Sequence, residues 1–384
     1  MLHQNSVFHS VLKHVPWHAL ERSVDKHGAD DRSRGLTTKR QLLALLFGQL
    51  SGAAGLRETV TAMASHATRL YHVGAVPVRR STLSDANRNR PWQVFAELFE
   101  AVLQQAHRGL RRTAGEAVRL IDSTSLRLSS LSADWATFST EFCGAKAHIV
   151  YDPNADRPIY FEVTAANVND ITVAKAMPIE AGATYVFDLG YYDYGWWAEL
   201  DDRGCRFVTR LKKNTPFTVR AENSVPNDSN ILSDRIGYLP GRLAASRKNP
   251  LQVPVREIRV VTETGKVLRI VTNDLDAPAQ EIADLYKQRW QIELFFRWVK
   301  QTLRIKHFVG VCENAVRIQI AVALIAFLLL RLAQATQKVV RSPLEFARLV
   351  RTNLMNRRPI DRLLEPLHPV QIDPNQLTLG LYCK

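Results

Sequence analysis

Apolar residues recur at intervals of three and four over the first part of the chain, most clearly in residues 41–50 and 92–106. This spacing places them on one side of a helix, and turns containing Gly and Pro separate the segments. Residues 1–112 are therefore predicted to be helical.

A polar segment between those two helices carries Arg79, Arg80 and Arg88 together with several Asn residues. Ser81 and Ser84 are predicted to cap its helix. The pattern resembles a helix-turn-helix reader, which sends polar side chains into a DNA major groove. A solvated helix in a small helical bundle explains the same pattern equally well.

From about residue 115 the pattern changes to short β-branched runs that are bounded by turn residues. Helical patterns at residues 171–181 and 194–202 separate the later runs. An α/β sheet of about five strands is predicted, with strands at residues 117–122, 147–152, 158–166, 184–190 and 205–211.

Residues 212–272 depart from this alternation and form short β runs with a hairpin-like turn at Thr264 and Gly265. They are predicted to be a β-rich insertion. The segment holds eleven basic residues against five acidic ones, a net charge of +6. This excess suits an arm that binds a nucleic-acid strand.

The chain becomes helical again from residue 279 to about 351, and the last thirty residues are predicted to be irregular because prolines recur there. Ile320 to Leu330 is a run of eleven apolar residues, which is too short to cross a bilayer. It is predicted to be a buried core helix rather than a membrane span.

The charge balance points to nucleic acid. The 51 Lys and Arg residues exceed the 37 Asp and Glu residues, giving a net charge of +14 and an isoelectric point near 9.8. Such an excess attracts polyanions, although a membrane-surface protein or a well-solvated protein could share it. Nucleic acid is the leading partner.

The four cysteines are scattered without the spacing of a zinc site or a disulfide scaffold. The N-terminus lacks the continuous apolar run of a secretory signal. We therefore expect a reducing, cytoplasmic compartment.

Two aspartates follow apolar runs of the predicted sheet. Asp122 ends one run and precedes Ser-Thr-Ser, and Asp188 ends another. Acids at the tips of two strands can lie side by side, but a single such Asp is more often a turn former or a helix cap. Asp193 is a nearby rival of Asp188.

A third carboxylate lies on the predicted helix at residues 286–300. Tyr286, Arg289, Glu293 and Lys300 are separated by three, four and seven residues, so they share one stripe of the helix. An amphipathic helix with an ordinary surface ion pair explains the spacing alone. The two upstream aspartates and the basic insertion favour a functional site instead.

These residues resemble a known family, the DDE transposases of bacterial insertion sequences, and specifically the insertion-sequence-four family marked by the motif Y-x2-R-x3-E-x6-K. The motif fits Tyr286, Arg289, Glu293 and Lys300 without a gap. The segment Ile121-DSTSL and the segment Val186-FDLGYYDY resemble the surroundings of the family's two catalytic aspartates.

The resemblance implies a ribonuclease-H-like catalytic core with a β-rich insertion, at residues 113–340, preceded by a helical DNA-binding domain at residues 1–112. Residues 341–384 are then a C-terminal tail that could serve dimerisation. Asp122, Asp188 and Glu293 would be the catalytic residues and would bind two divalent ions, normally Mg²⁺, with Mn²⁺ as a substitute. Hard cations of this kind prefer carboxylate oxygens.

The implied partner is double-stranded DNA, namely the inverted repeats at the element's ends and the target. Two ends imply a homodimer in the synaptic complex. Arg289 and Lys300 would hold phosphates, Tyr286 would bind a phosphate or support the helix, and Trp290 would stack on an unpaired base or pack in the core. The further DNA contacts expected are Lys212, Lys213, Arg79, Arg80 and Arg88.

The implied activity is metal-dependent cleavage at the element ends followed by transfer of the 3′-OH ends into target DNA, as in cut-and-paste transposition. No Trp occurs between Trp197 and Trp290, which leaves a hairpin intermediate open. A DNA-binding regulator without catalysis and a hydrolytic nuclease of the same fold remain as alternatives.

Overall fold

The computed structural model describes residues 5–31, 33–109, 117–136, 143–226, 228–242, 248–302 and 310–365. Up to residue 109 the regular structure is helical, as predicted; the predicted boundary at residue 112 lies outside the described residues. The helices of this part are α1 (Val7–Leu12), α2 (Trp17–Lys26), α3 (Thr38–Ser51), α4 (Leu56–Ser65), α5 (Ala67–Leu70), α6 (Arg80–Asn89) and α7 (Gln93–Gly109).

The polar helix α6 begins before the serines that were predicted to cap it. Its N-cap is Arg79, whose backbone is extended and whose side chain makes no capping hydrogen bond. Ser81 and Ser84 lie inside the helix, so the capping prediction is wrong. The burial of Leu83 and Asn87 on the inner face sets the register of this helix.

Glu97 joins α7 to α2. Its carboxylate accepts hydrogen bonds from Ser23 Oγ and Lys26 Nζ, each at 2.6 Å, and contacts His27 Nε2 at 2.9 Å. Partial burial alone would raise the pKa of Glu97, but the hydrogen bonds from Lys26, Ser23 and His27 outweigh it and lower the pKa to about 2. The first helices are thus clamped by an ionised carboxylate.

The long helix α13 (Glu313–Ala335) lies at the centre of the hydrophobic core. It is long and apolar enough to cross a membrane, with a mean hydropathy of 2.1, but 94% of its most apolar window is buried inside the protein. The predicted buried core helix is therefore confirmed. Helices α3 and α7 pack directly against α13, so the N-terminal helices and the remainder of the chain share one core.

The C-terminal part continues this packing. Helix α14 (Pro343–Asn353) contacts α13, α1 and α3, and a short 3₁₀ turn follows at Ile360–Arg362. The backbone of α1 pairs with the segment after α14, since Phe8 N donates to Leu354 O at 2.8 Å. The remainder of the predicted tail, residues 366–384, lies outside the described residues.

The described strands form one nine-stranded sheet with the order β3-β2-β1-β4-β5-β9-β8-β7-β6. The first five carry the predicted α/β sheet, and the last four are the predicted β-rich insertion. The strands are β1 (Val118–Leu128), β2 (Cys143–Asp152), β3 (Arg157–Ala165), β4 (Thr184–Val186), β5 (Arg206–Arg210), β6 (Thr218–Asn223), β7 (Ile231–Tyr238), β8 (Val255–Val261) and β9 (Val267–Thr272).

Pairing directions follow from the connections. Strand β4 runs parallel to β1 and to β5. On the other side of β1, β2 pairs antiparallel with β1, and β3 pairs antiparallel with β2. The insertion joins the sheet edge through β9, which pairs antiparallel with β5. The predicted turn at Gly265 connects β8 to β9, and its φ of 75° is a left-handed conformation that suits glycine.

Alternating side chains send apolar groups to both faces of the sheet. Leu120 and Val186 belong to the core that contains α13, whereas Ile121 and Phe187 belong to a second core on the opposite face. The second core includes residues of α9 (Asp170–Ala176) and α10 (Tyr194–Asp202). Both faces of the strands that carry the candidate acids are therefore packed.

A short helix, α8 (Ala133–Ala136), lies beside β2 and β3.

The helix predicted at residues 286–300 is two helices, α11 (Ala279–Gln288) and α12 (Trp290–Thr302). At Arg289 the backbone tightens, because Arg289 N donates to Tyr286 O and Ile292 N donates to Arg289 O, a three-residue spacing at both places. The prediction of one unbroken helix is wrong. The break lies at Arg289, whose guanidinium pairs with the carboxylates of Asp122 and Glu293.

Candidate active site

Asp122 lies within β1 rather than at its end, so that part of the prediction is wrong. Strand β1 continues through the Ser-Thr-Ser segment to Leu128 because β2 pairs with it over this whole length. The pairing with β4, in contrast, stops at Leu120. Asp122 is therefore the second residue beyond the end of the parallel pairing, on the side of β1 that β4 leaves open.

Asp188 holds the equivalent position on the neighbouring strand. Leu120 pairs with Val186, and each aspartate follows its paired residue by two positions. The Asp188 carboxylate accepts a hydrogen bond from Gly190 N at 2.8 Å and so shapes the 3₁₀ turn Leu189–Tyr191. The parallel register therefore gives Asp122 and Asp188 equivalent positions, two residues past the paired Leu120 and Val186.

The rival carboxylate, Asp193, has a structural explanation. It is the N-cap of α10, where it accepts a hydrogen bond from Trp196 N at 2.9 Å and one from Lys175 Nζ at 2.7 Å. Burial would raise the pKa of Asp193, but the hydrogen bonds from Lys175 and Trp196 lower it. This geometry favours Asp188 over Asp193 as the second acid.

Glu293 is joined to Asp122 by one guanidinium group. Arg289 Nη2 lies 2.6 Å from Glu293 Oε1, and Arg289 Nη1 lies 3.5 Å from Asp122 Oδ2. The side chain of Arg289 is only 16% exposed, so these ion pairs are weakly screened. The first turn of α12 thus brings the third acid to the strand that carries the first.

The other two residues of the helix motif also contact this region. Tyr286 is buried, and its ring lies about 6.0 Å from the Arg289 guanidinium and 5.9 Å from that of Arg210. Lys300 Nζ donates a hydrogen bond to the carbonyl of Ser125 on β1 at 3.1 Å. Tyr286 therefore supports Arg289, and Lys300 lies along the strand of Asp122.

Four apolar side chains of α12 are buried beside the face that bears Glu293. Ile292, Phe295, Phe296 and Val299 are buried, and Phe295 packs edge-on against Phe327 of α13. This packing holds α12 against the core. It leaves the face that bears Glu293 and Lys300 turned towards β1.

A cleft of about 410 Å³ opens between β1 and α12. It is lined by Asp122, Ser123, Thr124, Glu293, Phe296, Arg297, Lys300 and Gln301. A carboxylate on each wall, with Arg297 and Lys300 on the α12 wall, suits a substrate that carries both phosphates and metal ions. Arg297 and Gln301 were not predicted from the sequence, although they lie four and eight residues after Glu293.

The pKa of Asp122 is raised, above all by its burial. Burial and the charges of Asp188 and Glu293 raise the pKa of Asp122 to about 7, against the lowering effects of the Ser123 N–H and of Arg289. A bound cation would offset the mutual repulsion of such carboxylates, and hard divalent ions prefer oxygen ligands. The donor set therefore fits Mg²⁺. Within the described ranges, no three Asp, Glu, His or Cys side chains lie together as a finished metal site, and Arg289 pairs with two of the candidates.

The remaining predicted DNA contacts lie at the surface. Trp290 is 51% exposed, which excludes the core-packing interpretation. Lys212 and Lys213 are exposed after β5, and Lys212 Nζ lies 4.6 Å from the ring centre of Tyr192, close in sequence to Asp188. On α6, the side chains of three arginines are exposed to solvent, and these are Arg79, Arg80 and Arg88.

Several arginines of the insertion are not available to a partner. Arg256 and Asp234 form a buried pair with an Nη2–Oδ2 distance of 2.6 Å. Glu257 is fully buried and pairs with Arg235 at 2.6 Å and with Arg269. The count of eleven basic residues therefore overstates the cationic surface of the predicted arm, because Arg235, Arg256 and Arg269 stabilise the sheet.

Residues 113–329 match the family described as Transposase DDE domain. The chain belongs to this DDE transposase family. Membership implies the ribonuclease-H-like core expected from the sequence. Residues 3–76 of the transposase match a second family, described as a domain of unknown function (DUF4372).

Named relatives agree with this assignment. The transposase is 41% identical over 284 residues to a putative transposase, y4zB, of Sinorhizobium fredii, covering 74% of this chain and 80% of the relative. It is 30% identical over 286 residues to the probable transposase for insertion sequence element IS5377 of Geobacillus stearothermophilus, covering 73% and 74%.

A more distant relative belongs to the family expected from the helix motif. It is the putative transposase InsL for insertion sequence element IS186A of Escherichia coli, 24% identical over 334 residues, covering 74% of this chain and 82% of the relative. The resemblance to insertion-sequence-four transposases is thereby confirmed. A piggyBac transposase synaptic complex with hairpin DNA is similar with a TM-score of 0.46 and 9% identity, covering 95% of this chain and 83% of that one.

Proposed function

We propose that this transposase cuts DNA at the ends of its element and joins the 3′-OH ends to target DNA, with Asp122, Asp188 and Glu293 as the catalytic residues. One observation carries the proposal. Asp122 and Glu293, from a strand and a helix far apart in sequence, share the Arg289 guanidinium beside the turn that bears Asp188. A surface ion pair between Arg289 and Glu293 alone would not involve the strand.

The three carboxylates would hold the divalent ions, normally Mg²⁺, with Mn²⁺ as a substitute. When bound, such ions activate the attacking oxygen and stabilise the leaving oxygen of a phosphodiester. Lys300 holds a backbone phosphate beside Asp122, since its ammonium group already lies on β1. Arg289 has a second role, because a phosphate can compete with the carboxylates for its planar guanidinium.

Recognition of the DNA extends beyond the cleft. Trp290 is exposed beside Arg289 and offers a stacking surface for an unpaired base. Helix α6 presents Arg79, Arg80 and Arg88 to the element end, which makes the N-terminal helices the end-reading part. Two copies, one for each end, form the synaptic complex. A protein with this activity works at the nucleoid, in the cytoplasm.

The test uses the full chain and a plasmid that carries the coding sequence with its native flanking DNA. Asp122→Asn, Asp188→Asn and Glu293→Gln should each abolish Mg²⁺-dependent cleavage while a gel shift with the flanking DNA persists. Asp202→Asn is the matched control, since this carboxylate is exposed at the end of α10. It should cleave like the wild type.

Each alternative gives its own result. Cleavage by any of the three variants at the wild-type rate removes that acid from the site. Cleaved ends without joined products, assayed with labelled 3′-OH ends, indicate a hydrolytic nuclease. A gel shift with no cleavage by the wild type indicates a DNA-binding regulator.

A further inference from the structure

A fourth carboxylate, Asp170, contacts the segment that carries the first candidate acid. Asp170 is the first residue of α9, and its side chain is 22% exposed. Its Oδ1 accepts a hydrogen bond from Ser123 Oγ at 2.9 Å. Ser123 directly follows Asp122, and its backbone N–H donates to the Asp122 carboxylate at 2.8 Å. Asp170 therefore fixes the residue that orients Asp122.

The same side chain also contacts the turn that carries the second acid. A Cβ placed on Gly190 would lie 3.2 Å from Asp170 Oδ2 and 3.0 Å from Asp188 Oδ1. The glycine lets its backbone fit closely between these two carboxylates. That backbone also donates the hydrogen bond that holds Asp188. Asp170 is thus in contact with both strand ends of the candidate site.

The charge of Asp170 is balanced from β2. Lys146 Nζ lies 3.1 Å from Asp170 Oδ1 and donates to Val168 O at 2.9 Å, so it is held in place by the loop before α9. His148 Nδ1 lies 3.7 Å from the same oxygen, but His148 is 3% exposed and burial lowers its pKa to about 4. Lys146 is consequently the cation that neutralises Asp170 at neutral pH.

We infer that Asp170 is a positioning residue of the active site, which together with Ser123 and Lys146 sets the spacing between Asp122 and Asp188. The inference rests on the proposed function of those two acids. With its Oδ1 committed to Ser123 and Lys146, Asp170 acts through Asp122 and Asp188. Groups that orient metal ligands typically change metal affinity or activity by about 10-fold to 100-fold when they are removed.

The test measures the Mg²⁺ concentration that gives half-maximal cleavage of the plasmid with native flanking DNA. Asp170→Ala should raise that concentration by about tenfold or more and leave the gel shift unchanged. Ser123→Ala removes one hydrogen bond and should raise it by about twofold to tenfold. Asp170→Asn retains the shape and an acceptor for Ser123, so its effect should lie between those of Asp170→Ala and the wild type.

A second measurement does not depend on activity. Binding of Mn²⁺ to the DNA-free protein, followed by the loss of the free Mn²⁺ signal in electron paramagnetic resonance, should weaken in the same order. Thermal melting without metal separates positioning from folding, because Ser123→Ala keeps the pair between Asp170 and Lys146 and should melt like the wild type. Asp202→Asn should match the wild type in all three measurements.

The outcomes distinguish this inference from the proposed function. If the wild type cleaves, Asp122→Asn does not, and the Asp170 and Ser123 variants keep the wild-type Mg²⁺ dependence, the inference alone is overturned. The same holds if these variants lose cleavage only in proportion to a fall in melting temperature. If Asp122→Asn cleaves as well as the wild type, the proposed function fails first.

Discussion

Removing one partner of the buried pair between Asp234 and Arg256 should destabilise the β-rich insertion strongly. Both side chains are at most 5% exposed, and they share two hydrogen bonds of 2.7 Å and 2.6 Å. Asp234→Ala leaves the guanidinium buried without a counter-charge. Breaking such a pair costs about 3–5 kcal/mol, whereas replacing both partners with apolar residues is often close to neutral. The double variant Asp234→Leu/Arg256→Met should therefore regain most of the loss.

Urea unfolding followed by tryptophan fluorescence measures both effects. A matched control is Glu263→Ala, which removes an exposed pair with Lys287, whose side chains are 91% and 77% exposed. An exposed pair contributes about 0–1 kcal/mol. If the free energy of unfolding falls no more in Asp234→Ala than in Glu263→Ala, the pair between Asp234 and Arg256 does not hold the insertion together. If it falls as much in the double variant as in Asp234→Ala, the destabilisation does not come from an unpaired charge.

Three further predictions concern other parts of the chain. Lys212→Ala and Lys213→Ala should each weaken binding to DNA of any sequence and reduce the slope of log affinity against log salt by about 1, measured by fluorescence anisotropy; an unchanged slope places these lysines away from the phosphates. Asn314→Ala should destabilise the protein by about 1–3 kcal/mol in urea unfolding, because its amide group bonds the backbone at both ends of the turn between α6 and α7. The pKa of Glu97 is lowered to about 2 from an ordinary value near 4.5, so its stabilising contribution is complete above pH 4.5 and disappears as the pH falls towards 2. Glu97→Gln should accordingly lower the melting temperature at pH 7 and have little effect near pH 2, and an equal loss at both pH values would contradict this assignment.

Local pattern was sufficient for the sheet and for the helix motif. The β-branched runs predicted the first five strands, since strands that are packed on both faces need apolar side chains at successive positions. The spacing of Tyr286, Arg289, Glu293 and Lys300 predicted a helix that brings Glu293 and Lys300 to one region, and both line the cleft beside β1. Both predictions rest on the local spacing of residues, which the sequence shows without knowledge of the tertiary contacts.

Other features depend on partners that are distant in sequence. The polar residues after Asp122 remain in β1 because β2 satisfies their backbone groups, and the hydrophobic pattern carries no trace of that pairing. The break at Arg289 coincides with carboxylates from two elements. Asp170 reads from sequence as an ordinary first-turn acid of a helix. Its contacts with Ser123 and Gly190 arise only when three segments meet.

The continuous nine-stranded sheet has a mechanical consequence. Backbone hydrogen bonds between β9 and β5 join the insertion to the rest of the sheet. Strand β5 pairs in turn with β4, and Asp188 lies two residues past the end of β4. The insertion is therefore joined to the sheet by backbone hydrogen bonds as well as by the chain itself. Under the proposed function, a duplex bound against β7 or β8 transmits force through these bonds to the strand beside Asp188.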